Sequence, residues 1–95
     1  MSSIHLKIIS PVATIFSGNC YLVKLQTKEG EIGIASRHQS IITQLTEGVV
    51  AIYNHQQQLI EQININGGLC QFVNNATTVD GSEIDDEMVI LAKSF

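Results

Sequence analysis

Apolar runs rich in Ile and Val recur along the chain at intervals of about eight to ten residues, each closed by turn chemistry, the pattern of an all-β fold built from short strands. In "IHLKII", Ile4, Leu6 and Ile8 alternate with His5 and Lys7, so three aliphatic side chains share one face. Ser10 and Pro11 end that run, because proline brings no ladder donor. The run "VATIF" closes at Ser17, Gly18 and Asn19. "CYLVKLQ" sets Tyr21, Val23 and Leu25 against Lys24 and Gln26, with Leu22 breaking the alternation as though covered on both sides. The polar turn Thr27, Lys28, Glu29, Gly30 follows.

Beyond "EGEIGIASRH", residues 29–38, come "IITQL", a turn at Thr46, Glu47 and Gly48, "VVAIY", a turn at Asn54, His55 and Gln56, and the alternating "QLIEQINI". Asn66, Gly67 and Gly68 interrupt, as glycines do at a bulge or a close backbone approach, before "LCQFV", Asn74, Asn75 and "ATTVD". The expectation is a β-sandwich of about ten strands over residues 1–81.

The period changes in residues 82–95. Ser82 with Asp85 three residues on has the form of a helix N-cap, and Ile84, Met88, Leu91 and Phe95 fall on one helical stripe. A short helix start is therefore expected there. Asp85, Asp86 and Glu87 would sit at the positive end of its dipole.

Ninety-five residues support one core, and 44% hydrophobic against 15% charged residues is enough apolar material to fill it. The net charge of −4 comes from the acidic cluster Asp80, Glu83, Asp85, Asp86 and Glu87 less Lys93, since Glu29, Glu31, Glu47 and Glu61 are balanced by Lys7, Lys24, Lys28 and Arg37. Without a basic patch, nucleic-acid binding is excluded. No apolar run reaches the roughly eighteen to twenty residues of a membrane-spanning helix, so membrane association is expected only through a partner.

The glycines of residues 29–33 lack the Gly-Lys-Ser/Thr of a phosphate loop. Gly30 instead serves a turn, and Gly33 a strand that something passes closely. His5, His38 and His55 show no metal-ligand spacing with one another or with Cys20 and Cys70, and Cys70 lies in an apolar run where a free thiol is a small hydrophobe. The residues alone predict no catalytic, cofactor or metal site. They leave open a stand-alone adaptor that binds edge to edge, with a small hydrolase using Cys70 as a third reading.

Three stretches, read in order, resemble the epsilon subunit of rotary F-type ATP synthases. They are "HLKIISP" with Phe16, Ser17 and Gly18; "EGEIGIASRH" through Glu29, Gly30, Glu31, Gly33 and His38, running into "IITQLTEGVV"; and "INGGLCQFVNNATTV". The resemblance covers about residues 4–80. It implies a non-catalytic central-stalk subunit, without cofactor, that couples ion flow to ATP synthesis or hydrolysis. Such a subunit binds gamma and the polar loops of the c-ring and is peripheral on the cytoplasmic face of the membrane. Carried over by position, Lys28, Glu29, Gly30, Glu31 and Gly33 would face the c-ring, and Ser10, His38 and Thr43 would face gamma. Two departures stand out. Ala35, Ser36, Arg37, Gln39 and Ser40 replace a loop usually stiffened by prolines, and Arg37 adds a cation expected to pair with an acidic residue of gamma. The family's two-helix C-terminal domain would be almost wholly missing, which implies coupling without its inhibitory action.

Overall fold

A computed structural model describes residues 3–75 and 85–93 of the chain. Among them are seven strands and no helix: β1 (Ile4–Ile9), β2 (Thr14–Cys20), β3 (Leu22–Thr27), β4 (Gly30–Ala35), β5 (Ile41–Tyr53), β6 (Leu59–Val73) and β7 (Asp86–Ala92). They form one sheet in the order β2-β1-β7-β6-β5-β3-β4, antiparallel except where β1 runs parallel to β7.

The alternation read from β1 and β3 holds: Ile4, Leu6, Ile8, Val23 and Leu25 are fully buried. Val23, Leu25 and Ile34 lie at one end of the strand order, yet they share a single buried cluster with Ile4, Leu6 and Ile8 near the other end. The sheet is thus folded over on itself, with its two ends facing across an aliphatic core. Side chains as large as Phe72, Met88 and Ile90, each at most 1% exposed, contribute about 1.5–3 kcal/mol apiece by leaving water.

Fewer strands than the expected ten stand among the described residues because two anticipated pairs are merged, in β5 and in β6, while the turn expected at residues 17–19 lies within β2. β2 runs through Ser17, Gly18 and Asn19, β5 through Thr46, Glu47 and Gly48, and β6 through Asn66, Gly67 and Gly68. Gly48 marks close approach rather than the expected turn, and Gly67 and Gly68 mark the close approach expected of them. A Cβ on Gly68 would stand 2.3 Å from the Leu91 carbonyl oxygen, and one on Gly48 would stand 2.6 Å from Cγ of Gln26. Long strands thereby pass from one side of the fold to the other: residues 41–45 of β5 pair with the half of β6 that borders β7, while 51–53 also pair with β3.

The expected C-terminal helix is corrected as well. Residues 86–92 are a strand at the middle of the sheet, hydrogen-bonded to β1 on one side and β6 on the other. Burial follows a period of two, with Asp86, Met88, Ile90 and Ala92 inside and Leu91 half exposed. Two ladders outweigh what a helix of about a dozen residues, marginal on its own, could gain. Ser82, Ile84, Phe95, the "ATTVD" run and the 81/82 boundary lie outside the described residues.

Candidate functional site

The hairpin joining β3 to β4 is ordered from within. Thr27, 8% exposed, donates from Oγ1 to the Gly30 carbonyl at 2.9 Å and accepts from the Glu29 amide at 3.3 Å. Gly30 has φ +114 with nothing within 4 Å of a would-be Cβ, so glycine is needed there for conformation alone. On the strands behind it, Gln26 faces Glu31 in register, and its Nε2 donates to Glu31 Oε2 at 3.3 Å. Lys28, Glu29, Gly30 and Glu31 therefore form one exposed, preset, charged tip. Gly33 lies further along β4 opposite Lys24. Its nearest neighbour, Leu22 Cδ1 at 3.5 Å from a would-be Cβ, is in ordinary contact, so the close passage expected there is absent.

The loop after β4 is held by a buried carboxylate that the sequence pattern assigned to a helix dipole. Asp86 is 0% exposed. Its Oδ2 accepts from the Arg37 amide at 2.6 Å and from the Ser36 hydroxyl at 3.4 Å, and its Oδ1 accepts from Arg37 Nη1 at 3.0 Å and from the Asn75 amide at 2.8 Å. Arg37 adopts φ 71, a left-handed conformation that aims both its amide and its side chain at the one acid. Asn74 Nδ2 completes the clamp by donating to the carbonyls of Arg37 and His38 at 3.1 and 2.8 Å. Arg37, expected to pair with an acid on a partner, is engaged within the chain through Nη1 and its amide. Rigidity that prolines would have given is supplied by Asp86 and Asn74.

His38, half-buried, sits on this loop with its ring edge-on to Phe72 at 6.0 Å and Nδ1 2.7 Å from the Gln39 carbonyl oxygen. Thr43 follows on β5, half-buried and opposite Cys70. Ser10 is elsewhere, beyond the end of β1, three strands from β5 in the sheet order. Its Oγ is engaged in a turn, donating to the Ala13 carbonyl and accepting from the amides of Val12 and Ala13 at 3.1–3.3 Å, which leaves Val12 projecting at 86% exposure. The structure therefore puts His38 on the loop leading into β5 and Thr43 on β5 itself, with Ser10 on a separate turn beyond β1. It also joins the two predicted surfaces: Thr43 lines a shallow concavity of about 280 Å³ together with Lys28 and Glu29.

Neither thiol is an activated nucleophile. Burial pushes Cys20 and Cys70 up to about 12, so both are neutral at physiological pH. Among the described residues no three His, Cys, Asp or Glu side chains converge on a metal site.

Asp86, Asn74 and the outward row Leu69, Leu91 and Ile9 were not legible as site features in the sequence pattern. Leu69 and Leu91 are 42% and 50% exposed and pair directly across β6 and β7, with Ile9 next on β1. The alternation of Asp86, Met88, Ile90 and Ala92 was the signal that could have found the strand.

The profile of the family described as "ATP synthase, Delta/Epsilon chain, beta-sandwich domain" matches residues 3–84. The ATP synthase epsilon chain of Polaromonas naphthalenivorans is 32% identical over 101 residues, an alignment that takes in 100% of this chain and 72% of the relative. Among solved structures, a chain of Euglena gracilis mitochondrial ATP synthase, OSCP/F1/c-ring in rotational state 1, superposes with TM-score 0.76 at 20% identity. That match covers 97% of this chain and about half, 51%, of the other. A chain of the Tetrahymena thermophila mitochondrial ATP synthase central stalk/c-ring gives TM-score 0.61 at 12% identity, covering 93% of this chain and 63% of that one. The two structural likenesses show a shared fold.

Proposed function

Since the chain belongs to the β-sandwich family of ATP synthase delta and epsilon chains, we propose that it is a non-catalytic central-stalk subunit of an F-type ATP synthase. In this reading it binds gamma and the c-ring and couples ion flow to ATP synthesis or hydrolysis, as a peripheral subunit on the cytoplasmic face of the membrane. The observation that carries the proposal is the preset tip, Lys28, Glu29, Gly30 and Glu31, fixed by Thr27 at one end of a densely packed sheet. A charged end held by its own hydrogen bonds loses little entropy on meeting a polar surface, which suits the loops of a c-ring. Gly33, on the exposed β4 strand, belongs to the same side. His38 and Thr43 belong to the flank facing gamma, and Ser10 meets gamma at a separate place, through the turn that presents Val12. A stiff core suits the passing of torque, because packed interiors yield little to strain.

The proposal is tested by reconstitution. The chain mixed with gamma of its own complex forms a one-to-one assembly at low salt, and that assembly associates with c-ring vesicles. Reversing the tip charge outside the concavity that Thr43 lines with Lys28 and Glu29, with Glu31→Lys, weakens the vesicle step and spares gamma binding. Failure to recover any stalk polypeptide with the chain overturns the reading.

A further inference from the structure

Strand β5 is bordered by β6 along almost its whole length, whereas β3 covers its other side only at residues 51–53. Among the described residues, no backbone group pairs with the open side of residues 41–46, which therefore form an edge of the sheet. Natural edges are usually blunted by charge, proline or a bulge. Ile41, Ile42, Thr43, Gln44, Leu45 and Thr46 contain none of these, and their ladder to β6 is regular from Ile41 to Leu45. Ile42 is 66% exposed. The concavity lined by Lys28, Glu29 and residues 42–46 runs beside this edge, and half-buried Thr43 ends the inward row of Cys70, Ile90 and Ile8.

We infer that residues 41–46 accept one extended segment of a partner polypeptide, which adds a strand to β5 and lays its inward side chains against the concavity beneath the Lys28 and Glu29 tip. Main-chain hydrogen bonds supply the affinity in this mode, and alternate side-chain positions supply the selectivity. The occupant follows from size. Six residues give an edge of about 20 Å, and a strand added there buries a few hundred Å², well short of the roughly 1,200 Å² of a stable interface. A second copy of the chain could not be held by this edge alone. A segment of a larger partner that also contacts the domain elsewhere can be. The inference rests on the reading above, in which that partner is gamma, and it assigns the Thr43 region a backbone role instead of a side-chain one.

Residue-resolved amide exchange, on the free chain and on its one-to-one complex with gamma, tests this. In the free chain, alternate amides within residues 41–46 exchange within about tenfold of the unfolded rate, and in the complex they slow by about 100-fold or more. A complex that forms while these amides stay fast overturns strand addition and leaves the gamma reading intact. Absence of a complex overturns both. Protection that grows with the concentration of the free chain identifies a second copy and also overturns the inference. As a second probe, proline at whichever of Thr43 or Gln44 has the fast amide removes one outward donor and weakens the complex about tenfold or more, whereas Thr43→Val changes affinity by less than about twofold. Equal affinity of the proline variant and the parent would count against the added strand.

Discussion

The main-chain N–H of Arg37 donates to Oδ2 of Asp86 at 2.6 Å, while the guanidinium of the same residue donates to Oδ1 at 3.0 Å. One residue thus satisfies both oxygens of a fully buried carboxylate, from a loop forty-nine positions away in the chain. The arrangement ties the loop that carries His38 to the central strand β7.

Removing the acid leaves the cation, two main-chain donors and the Ser36 hydroxyl without their acceptor. Asp86→Ala is expected to destabilise the fold by about 3–5 kcal/mol, the range for breaking a buried pair from one side. Arg37→Ala costs less, about 1–3 kcal/mol, because the carboxylate keeps its amide donors and the Arg37 side chain is 31% exposed. Urea denaturation orders the two. An Asp86→Ala variant as stable as the parent would mean that the clamp does not hold the loop.

Arg37 also adopts φ 71, a conformation that costs an L-residue about 1–2 kcal/mol. Glycine relieves that cost. Arg37→Gly is therefore expected to be more stable than Arg37→Ala by about 1 kcal/mol, although both lose the ion pair. The reverse order, measured by the same denaturation, would show that the backbone is unstrained at this position.

Strand and helix readings of residues 86–92 differ in which side chains face inward. Ile90 is fully buried and Leu91 is 50% exposed, whereas a helical stripe through Met88 and Leu91 would have the opposite consequence. Ile90→Asp is expected to unfold the protein, since it strands a charge in the core. Leu91→Asp is expected to change stability by no more than about 1 kcal/mol. Circular dichroism of the two variants decides between the readings.

The legible part of the fold was the part with clean alternation. Ile4, Leu6, Ile8, Val23 and Leu25 announced their faces because polar neighbours separated them. β7 hid its period behind a buried Asp86 and an exposed Leu91, a polar residue inside and an apolar one outside. Gly48 read as a turn because local pattern cannot distinguish a chain that reverses from one that passes tightly against a distant strand, whereas Gly67 and Gly68, adjacent within an apolar stretch, were legible as a close approach. In the site, the tip was legible from Thr27, Glu29 and Gly30, all close in sequence. The clamp on Arg37 was not, because Asp86, Asn74 and Asn75 reach that loop only through the tertiary fold.

Gly30 and Gly68 separate the two uses of glycine. At Gly30 only the φ of +114 resists a side chain, so Gly30→Ala keeps the fold at a cost of about 1–2 kcal/mol. At Gly68 a Cβ would strike the Leu91 carbonyl, a backbone atom that cannot swing aside without parting β6 from β7. Gly68→Ala is expected to cost about 3 kcal/mol or more and to yield mostly unfolded or aggregated chain. Soluble, cooperative folding of that variant would show that the two strands are not held as closely as the geometry has them.

Cys20 and Cys70 give the stability a dependence on alkaline pH whose sign is fixed by their burial. Both thiols are raised from 9.0 to about 12 in the native chain. Above pH 9 the unfolded chain sheds these protons while the folded chain retains them, so the unfolded state binds fewer protons and stability falls. The contribution is complete below pH 9 and is lost as pH rises towards 12, at up to about 1.4 kcal/mol per pH unit for each thiol. A double variant, Cys20→Ala with Cys70→Ala, is expected to be less stable at pH 7, where it leaves small cavities, but to lose stability less steeply between about pH 9 and 10.5. Every other residue is common to the two proteins, so the difference between the two slopes isolates the thiols. Parallel slopes in urea denaturation would mean that the two cysteines ionise in the native chain as freely as in the unfolded one, and that the core admits water near them.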